Sequence, residues 1–351
     1  MKQLTIDTII VGVDIHKYSH TAVAQNCLGQ EIDILEFDNE TLAKFERWVD
    51  GLGRDVLIGL EDTWGNGYHL TTTLSKGGYN FVYINPVITS NERKKTTSRE
   101  KNDYLDAKRV GKAILNRSEE ALPASKIITQ NRDKIREIDL LIQERRDLVK
   151  DQTKLKNQLH VLLHQHYGNG YRNNFKNIFS KKALTYFKRD LIKDTVTLSS
   201  SIIRRIKRLE NIQDQVQDID KTLNILSKEI PEIRKLTTIS GCGIINACKI
   251  ISEIKSINRF PNSNHLARYA GIAPIDKSSG RTKRVITNPG GNRKLNNVIH
   301  AIALSQIGNR GCGYGKEYYQ RKIKEGKTKL WSLRCLKRQI IKSVYKVLVE
   351  E

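Results

Sequence analysis

The spacing of apolar positions changes period twice along the chain, and each change marks a new kind of element. From residue 6 the runs TIIVGVDIH, HTAVAQN and EIDILEF are short, apolar and separated by small polar breaks, the pattern of strands in a meander. TLAKFERWVDGL then carries a helical period, and DVLIGLE reads as another buried strand. YHLTTTLSKGG predicts a helix ending on glycine, and YNFVYINP a strand stopped by Pro86. After residue 125 the spacing lengthens. Leu141, Leu148, Leu155 and Leu162 recur every seven residues, with Ile138, Ile142, Val149 and Leu159 beside them. The break HYGNGYRNN follows. A second run sets Leu209, Val216, Leu223 and Ile230 at one heptad position and Ile212, Ile219 and Leu226 at the next. This spacing predicts a coiled-coil seam; two long helices folded back on each other within one chain fit it equally. In either form the segment is a spacer and assembly element ending at Pro231. Residues 237–310 are richer in glycine, and ISGCGIINACKIISEI has the turn and following helix of a helix–hairpin–helix. In such a turn Gly241 and Gly243 let backbone N–H groups approach a phosphate; an ordinary turn between helices is the alternative.

The pattern therefore predicts an α/β domain over 1–125, a coiled-coil helical arm over 126–236 and a mainly helical C-terminal domain over 237–351. A hairpin series of strands, followed by strands alternating with helices, matches a ribonuclease H-like order better than a doubly wound nucleotide-binding one.

Charge narrows the partner. The 351 residues carry 61 Lys and Arg against 38 Asp and Glu, a net charge of +23, which points to a polyanion and by default to nucleic acid. The excess is concentrated at the end: residues 316–351 hold eleven Lys/Arg against four acids, with Tyr318, Tyr319, Trp331 and Tyr345 between them. That composition predicts basic helices lying on nucleic acid. No apolar run is long enough to span a bilayer, and the N-terminus moves from a short polar start into a strand rather than a signal peptide. A membrane role is not expected, and the cytosol is. Cys27, Cys242, Cys248, Cys312 and Cys335 are dispersed, without a CxxC pair, so reduced thiols are expected rather than disulfides or structural zinc.

Against this basic background four acids stand out. Asp14 closes the strand VGVD and Glu61 closes DVLIGLE, with Asp62 as Glu61's rival. Asp103 and Asp106 are i and i+3 in EKNDYLDAKR, so a helix places both on one face. Each has an ordinary alternative: a turn or cap for Asp14 and Glu61, a solvated face paired with Lys101 and Arg109 for the other two. Together they supply the hard oxygens, from several elements, that a divalent cation needs. Such an ion also reverses the local sign of charge where a phosphate must approach.

The order VGVDIHK, LEDTWGNGYHL, INP, KNDYLDAKR resembles that of the DEDD transposases of the insertion sequence 110 family, relatives of the Piv invertases. ISGCGIINA resembles that family's G-x-G-x-x-x-A turn, and LARYAGIAPIDKSSGRTKR its G-x-x-P…SSG segment. GGNRKLNNVIHAIALSQ is similar to the basic helix that follows, and EYYQRKIKEGKTKLWSLRCLKR to the tail of one branch. The resemblance implies a RuvC-like domain whose Asp14, Glu61, Asp103 and Asp106 hold Mg²⁺, with Mn²⁺ as the alternative, and a C-terminal domain with a nucleophilic serine. By motif that serine is Ser279, the one immediately before glycine, with Ser278 as fallback. Arg281, Lys283, Arg284, Arg293 and Lys294 lie near it in sequence and supply cationic charge toward phosphate. Two departures from the family pattern are Asn102, where many relatives carry threonine, and ITNPGG, which replaces a more basic loop. The resemblance further implies strand cleavage and rejoining through a phosphoserine link on donor and target DNA. It implies a structured non-coding guide RNA, a homo-oligomer (dimer or tetramer) and a prokaryotic, nucleoid-associated cytoplasmic setting. Two other readings use the same residues differently: a ribonuclease H-like endonuclease or Holliday-junction resolvase with water as nucleophile, and a non-catalytic nucleic-acid scaffold.

Overall fold

The structure is a computed structural model. It describes residues 4–53, 55–61, 64–94, 102–116, 121–123, 131–194, 196–279, 282–286, 288, 290–308 and 313–350. The chain separates into two compact units: residues 1–130 with 256–261, and residues 131–255 with 262–351.

The first unit is built on a six-stranded sheet of order β3-β2-β1-β4-β5-β6. Its strands are β1 (Ile9–Ile15), β2 (His20–Gln25), β3 (Glu31–Phe37), β4 (Val56–Leu60), β5 (Phe81–Tyr83) and β6 (Leu122–Pro123). β1 to β3 form an antiparallel meander; β4 and β5 run parallel to β1, and β6 closes the far edge antiparallel to β5. The pleat sends alternate residues of β1 to opposite faces. Val11 and Val13 join Leu60, Phe81 and Phe37 in a core roofed by Phe45 and Val49 of α1 (Leu42–Leu52) and Leu70 and Leu74 of α2 (Tyr68–Lys76). Phe45 stacks on Phe37 with ring centroids 4.4 Å apart. Ile10 and Leu57 face the other way, into a core with Val82, Ile84 and Ile88 of α3 (Pro86–Lys94) and Ala113 and Ile114 of α4 (Asp103–Asn116). Burial of a large apolar side chain contributes about 1.5–3 kcal/mol, so these two cores, rather than the polar rim, hold the layers together.

α4 lies unusually close to the sheet. A Cβ on Gly12 would sit 2.1 Å from the carbonyl oxygen of Ala107 and 2.5 Å from the backbone nitrogen of Gly111. Gly59, paired with Gly12 across β1 and β4, faces Ile114 and Val110 of the same helix, and Gly111 faces Gln25 of β2. Three glycines thus open one slot along the sheet, and α4 fills it.

The second unit is mainly helical. α5 (Arg132–Tyr167) and α7 (Thr197–Ser227) pack against each other within the chain. Leu155, Leu159 and Leu163 meet Ile202, Ile206, Leu209 and Ile212, and Leu184, Phe187 and Leu191 of α6 (Lys181–Leu191) complete that core. α8 (Pro231–Thr237), α9 (Ile244–Ile254) and α10 (Ser263–Tyr269) follow, then the hairpin β7 (Ile275–Ser279) and β8 (Thr282–Ile286). α11 (Arg293–Ile307), α12 (Tyr314–Lys324) and α13 (Lys329–Val349) end the chain.

The strand and helix runs expected up to Tyr83 form where the pattern places them, and the remainder is mostly helical. Pro86 does more than stop a strand: it opens α3, because its missing N–H and fixed φ suit the first turn of a helix.

The slot predicts a clear response to a single methyl group. Gly12→Ala is expected to destabilise the protein by about 1–3 kcal/mol in urea unfolding, since the atom it strikes belongs to helix backbone and cannot rotate away. Gly51→Ala, where a Cβ meets nothing within 4 Å, is expected to be neutral or to stabilise by up to about 1 kcal/mol.

Candidate metal centre at the ends of β1 and β4

The slot decides which side chains meet. Gly12 faces α4, so Asp14 and His16, two and four residues on, lie on the same face. On β4 the same holds for Gly59 and, two residues on, Glu61. β1 and β4 are parallel and in register to Val13 opposite Leu60, so Asp14 and Glu61 leave the sheet side by side. α4 begins above them. Its N-terminus is capped by Asn102, whose Oδ1 accepts the backbone N–H of Leu105 at 2.7 Å. Threonine fills the same capping role, which accounts for the Asn102 departure. Asp103 and Asp106 form the acidic first turn of α4.

Asp14, His16, Glu61, Asp106 and Arg109 line one cleft of about 250 Å³, bounded on the α3 side by Pro86, Thr89 and Ser90. Asp103 stands at its outer edge: one ligand atom each of Asp14, His16 and Asp103 lies within 4.8 Å of the others. Among the described residues this is the group whose ligand atoms lie close enough to share an ion; Glu61 and Asp106 line the same cleft beside Asp14.

The three better-buried acids are treated differently by their surroundings. Asp106 receives Arg109 Nη1 at 2.5 Å, and Arg109 is itself buried. Glu61 is pushed above the usual carboxylate range by burial, drawn back by a hydrogen bond from the Thr89 side chain and raised further by the charge of Asp106. Asp14 is pushed up to about 6, first by burial; His16 lowers it, while Asp106, Asp103 and Glu61 raise it. Its Oδ2 is buried with no hydrogen-bond partner among the described residues. A carboxylate oxygen in that state is costly unless a cation meets it, and the donor set facing it is the hard-oxygen kind that divalent ions take. The residues present fit such an ion.

His16 is not among the residues the sequence pattern singles out, and Arg109 stands out there only as a surface partner of the acids. The signal for His16 was its position two residues after Asp14, which in a strand means the same face. Asp62 and Lys101 lie outside the described residues, as does Arg281.

The remaining candidates fall in the second unit. Ser278 and Ser279 end β7, in register with Lys283 and Thr282 of β8, and Arg284 pairs with Lys277. Arg293 and Lys294 begin α11; both are exposed, and Lys294 Nζ lies 3.5 Å from Glu253 Oε1. Gly241 adopts φ +79 and packs against the Ile302 carbonyl and Ser305 of α11, whereas a Cβ on Gly243, at the start of α9, meets nothing within 4 Å. Of the two, Gly243 has room beside it.

Comparison with known proteins finds matches to both stretches that carry the candidate residues. A family model for DEDD transposases of the IS110 type, described as "Transposase", matches residues 11–168, the stretch with all four acids. A second, described as "Transposase IS116/IS110/IS902 family", matches residues 233–320, which include Ser278 and Ser279. Among curated proteins the chain is 29% identical over 159 residues to the "Insertion element IS110 uncharacterized 43.6 kDa protein" of Streptomyces coelicolor, covering 45% of this chain and 39% of that one. It is 24% identical over 202 residues to the "Transposase for insertion sequence element IS1111A" of Coxiella burnetii, covering 56% of this chain and 50% of that one. The matched stretches thus span half or less of these relatives. With both halves matched in order, the chain belongs to the IS110 family of insertion-sequence transposases.

Proposed function

We propose that this protein cuts and rejoins DNA strands, using Asp14, Glu61, Asp103 and Asp106 to hold divalent cations and Ser279 as the nucleophile. The observation that carries the reading is the meeting of four acids from β1, β4 and α4 at one cleft and its edge, where an Asp14 oxygen has no hydrogen-bond partner among the described residues. The sheet order and strand directions support a ribonuclease H-like assignment for the first unit. In this reading 1–125 is the metal-binding domain, 126–236 the coiled-coil arm, and 237–351 the domain with the serine and a helix–hairpin–helix-like turn. Leu140, Val161 and Ile225, exposed on α5 and α7, support pairing of the arm between copies in a dimer or tetramer.

Mg²⁺, or Mn²⁺ in its place, supplies Lewis-acid stabilisation of the phosphate undergoing attack. The protein's residues do the rest. Asp14 and Glu61, at strand ends, and Asp103 and Asp106, in one helical turn, would hold the cations. Arg109 holds Asp106 in place and keeps one acid compensated before the substrate arrives. The Ser279 hydroxyl attacks phosphorus, giving up its proton to solvent; a serine–phosphate ester forms and the DNA 3′-oxygen leaves as a hydroxyl. Attack by a hydroxyl of the exchanged strand reverses the step, so the phosphodiester energy is conserved and no nucleotide cofactor is needed. Arg281, Lys283, Arg284, Arg293 and Lys294, with Gly241 and Gly243, contact phosphates. In this reading choice of donor and target falls to base pairing with a structured non-coding RNA, supported by the resemblance and accommodated by the +23 charge.

Two outcomes test the chemistry. Ser279→Ala is expected to abolish covalent protein–DNA adducts on denaturing gels together with recombination. Strand cleavage that survives both Ser279→Ala and Ser278→Ala assigns water as nucleophile and makes the protein an endonuclease. Asp106→Ala is expected to cut turnover with Mg²⁺ or Mn²⁺ by at least about a hundredfold; unchanged function leaves a binding scaffold. The metal is tested by stability. Below pH 4 Asp14 is protonated whether folded or not; between pH 4 and about 6 only the folded state keeps its proton; above pH 6 the fold bears the full penalty of the ionised group. Metal-free Asp14→Asn is thus expected to be more stable than wild type at pH 7–8, by on the order of 1–3 kcal/mol, and level with it near pH 3. Mg²⁺ is expected to raise the melting temperature of wild type only.

A further inference from the structure

We propose that His16 is a nitrogen ligand at this centre and that it turns the Asp14–Asp103 half of the site toward Mn²⁺ or Co²⁺ in preference to Mg²⁺. The inference rests on the metal-binding reading above and adds to the four acids a donor of a different kind.

The geometry is specific. His16 Nδ1 lies 3.5 Å from Asp14 Oδ2 and 3.8 Å from Asp103 Oδ2. Ligand atoms about 2.1 Å from a common ion are separated by about 3.0–3.5 Å in octahedral or tetrahedral sites. The two separations from Nδ1 thus match the tetrahedral spacing to within a few tenths of an ångström and exceed the octahedral one by about 0.5–0.8 Å. The oxygen nearest His16 is the Asp14 Oδ2 that is buried and unpartnered. His16 is also held where a ligand must be. It follows β1 by one residue, shares the face of Asp14, and its backbone N–H donates to the Ser19 carbonyl at 3.2 Å, closing the turn into β2. The side chain is 46% exposed. With a cation between Nδ1 and the carboxylates, the proton of the neutral ring belongs on Nε2, where the accessible ring can donate it in a hydrogen bond to water. A ligating imidazole uses this tautomer.

The consequence is selectivity. Mg²⁺ takes oxygen almost exclusively, whereas affinity for an imidazole nitrogen rises from Mn²⁺ to Co²⁺ along the divalent series. Glu61 and Asp106, the other acids of the cleft, offer only oxygen, so the His16 side of the centre differs from theirs in the cation it favours.

His16 has one competing role, a protonated counter-ion to Asp14 and Asp103, and the test separates the two. The full chain is titrated at pH 7.5 with MgCl₂, MnCl₂ or CoCl₂ by calorimetry, and the Mn²⁺ form is examined by pulsed electron paramagnetic resonance for ¹⁴N coupling. Wild type is expected to show ¹⁴N coupling and to bind Mn²⁺ at least tenfold more tightly than Mg²⁺. His16→Ala is expected to lose the coupling and about tenfold in Mn²⁺ affinity, with Mg²⁺ affinity within about twofold of wild type. His16→Asp, an oxygen donor, is expected to retain Mn²⁺ binding without ¹⁴N coupling and to gain Mg²⁺ affinity. His16→Lys is expected to weaken both metals. Bound Mn²⁺ without ¹⁴N coupling, or a Mn²⁺ affinity unchanged in His16→Ala, overturns the assignment of His16 while the carboxylate centre stands. Wild type that binds none of the three ions, or that Asp14→Asn leaves unaffected, overturns the metal-binding reading itself and His16 with it.

Discussion

The rest of the first unit depends on how closely α4 lies against β1. At Gly12 the helix backbone occupies the space where any other residue would carry a side chain, and Gly59 and Gly111 extend the same slot. Glycine in a strand gives up packing and conformational entropy. Here the loss is offset by position: α4 lies along the face from which Asp14 and Glu61 project, with its first turn over the ends of both strands. A helix held off by a layer of Val or Ile would still bury its apolar stripe, but Asp103 would no longer come within ligand distance of Asp14. The glycines therefore bear on chemistry as much as on packing.

That closeness has an electrostatic cost. Four acids converge in a small volume, and the protein neutralises them unequally. Arg109 sits against Asp106, Thr89 serves Glu61, and Asp103 is exposed at the outer edge. Asp14 receives only a histidine 3.5 Å away among the described residues. An excess of positive charge over the whole chain does not help it, because what counts at a buried oxygen is contact, not net charge. Residues in this condition cluster where chemistry occurs, since a merely structural group is normally satisfied.

Much of this was legible in the sequence, for identifiable reasons. Strand period placed β1 and β4, so acids at their ends were conspicuous; the i, i+3 spacing of Asp103 and Asp106 anticipated one helical face. Arg109 was visible as a neighbour, but its burial follows from α4 entering the glycine slot, a tertiary fact that no local pattern encodes. The heptads of the long helices fitted pairing within or between chains; the structure adds that Leu155 and Leu159 meet Ile202, Ile206 and Leu209 of the same chain. Gly241 and Gly243 looked equivalent in ISGCG, yet only Gly241 is pressed against another helix. Spacing reports which residues share an element's face, not what stands opposite.

Why the fold leaves Asp14 unsatisfied is best judged against what it had at hand. One helix turn supplies Arg109 to Asp106, and α3 supplies Thr89 to Glu61, so donors reach this cleft readily. Placing one more against Asp14 Oδ2 would remove the burial penalty and stabilise the fold. It would also occupy the oxygen that faces His16, and a cation could not bind there without displacing it. A structural ion-pair network gains from every added partner, whereas a metal centre must keep its central ligand free. The uneven treatment of these acids, generous at the periphery and withheld at the centre, follows the second logic.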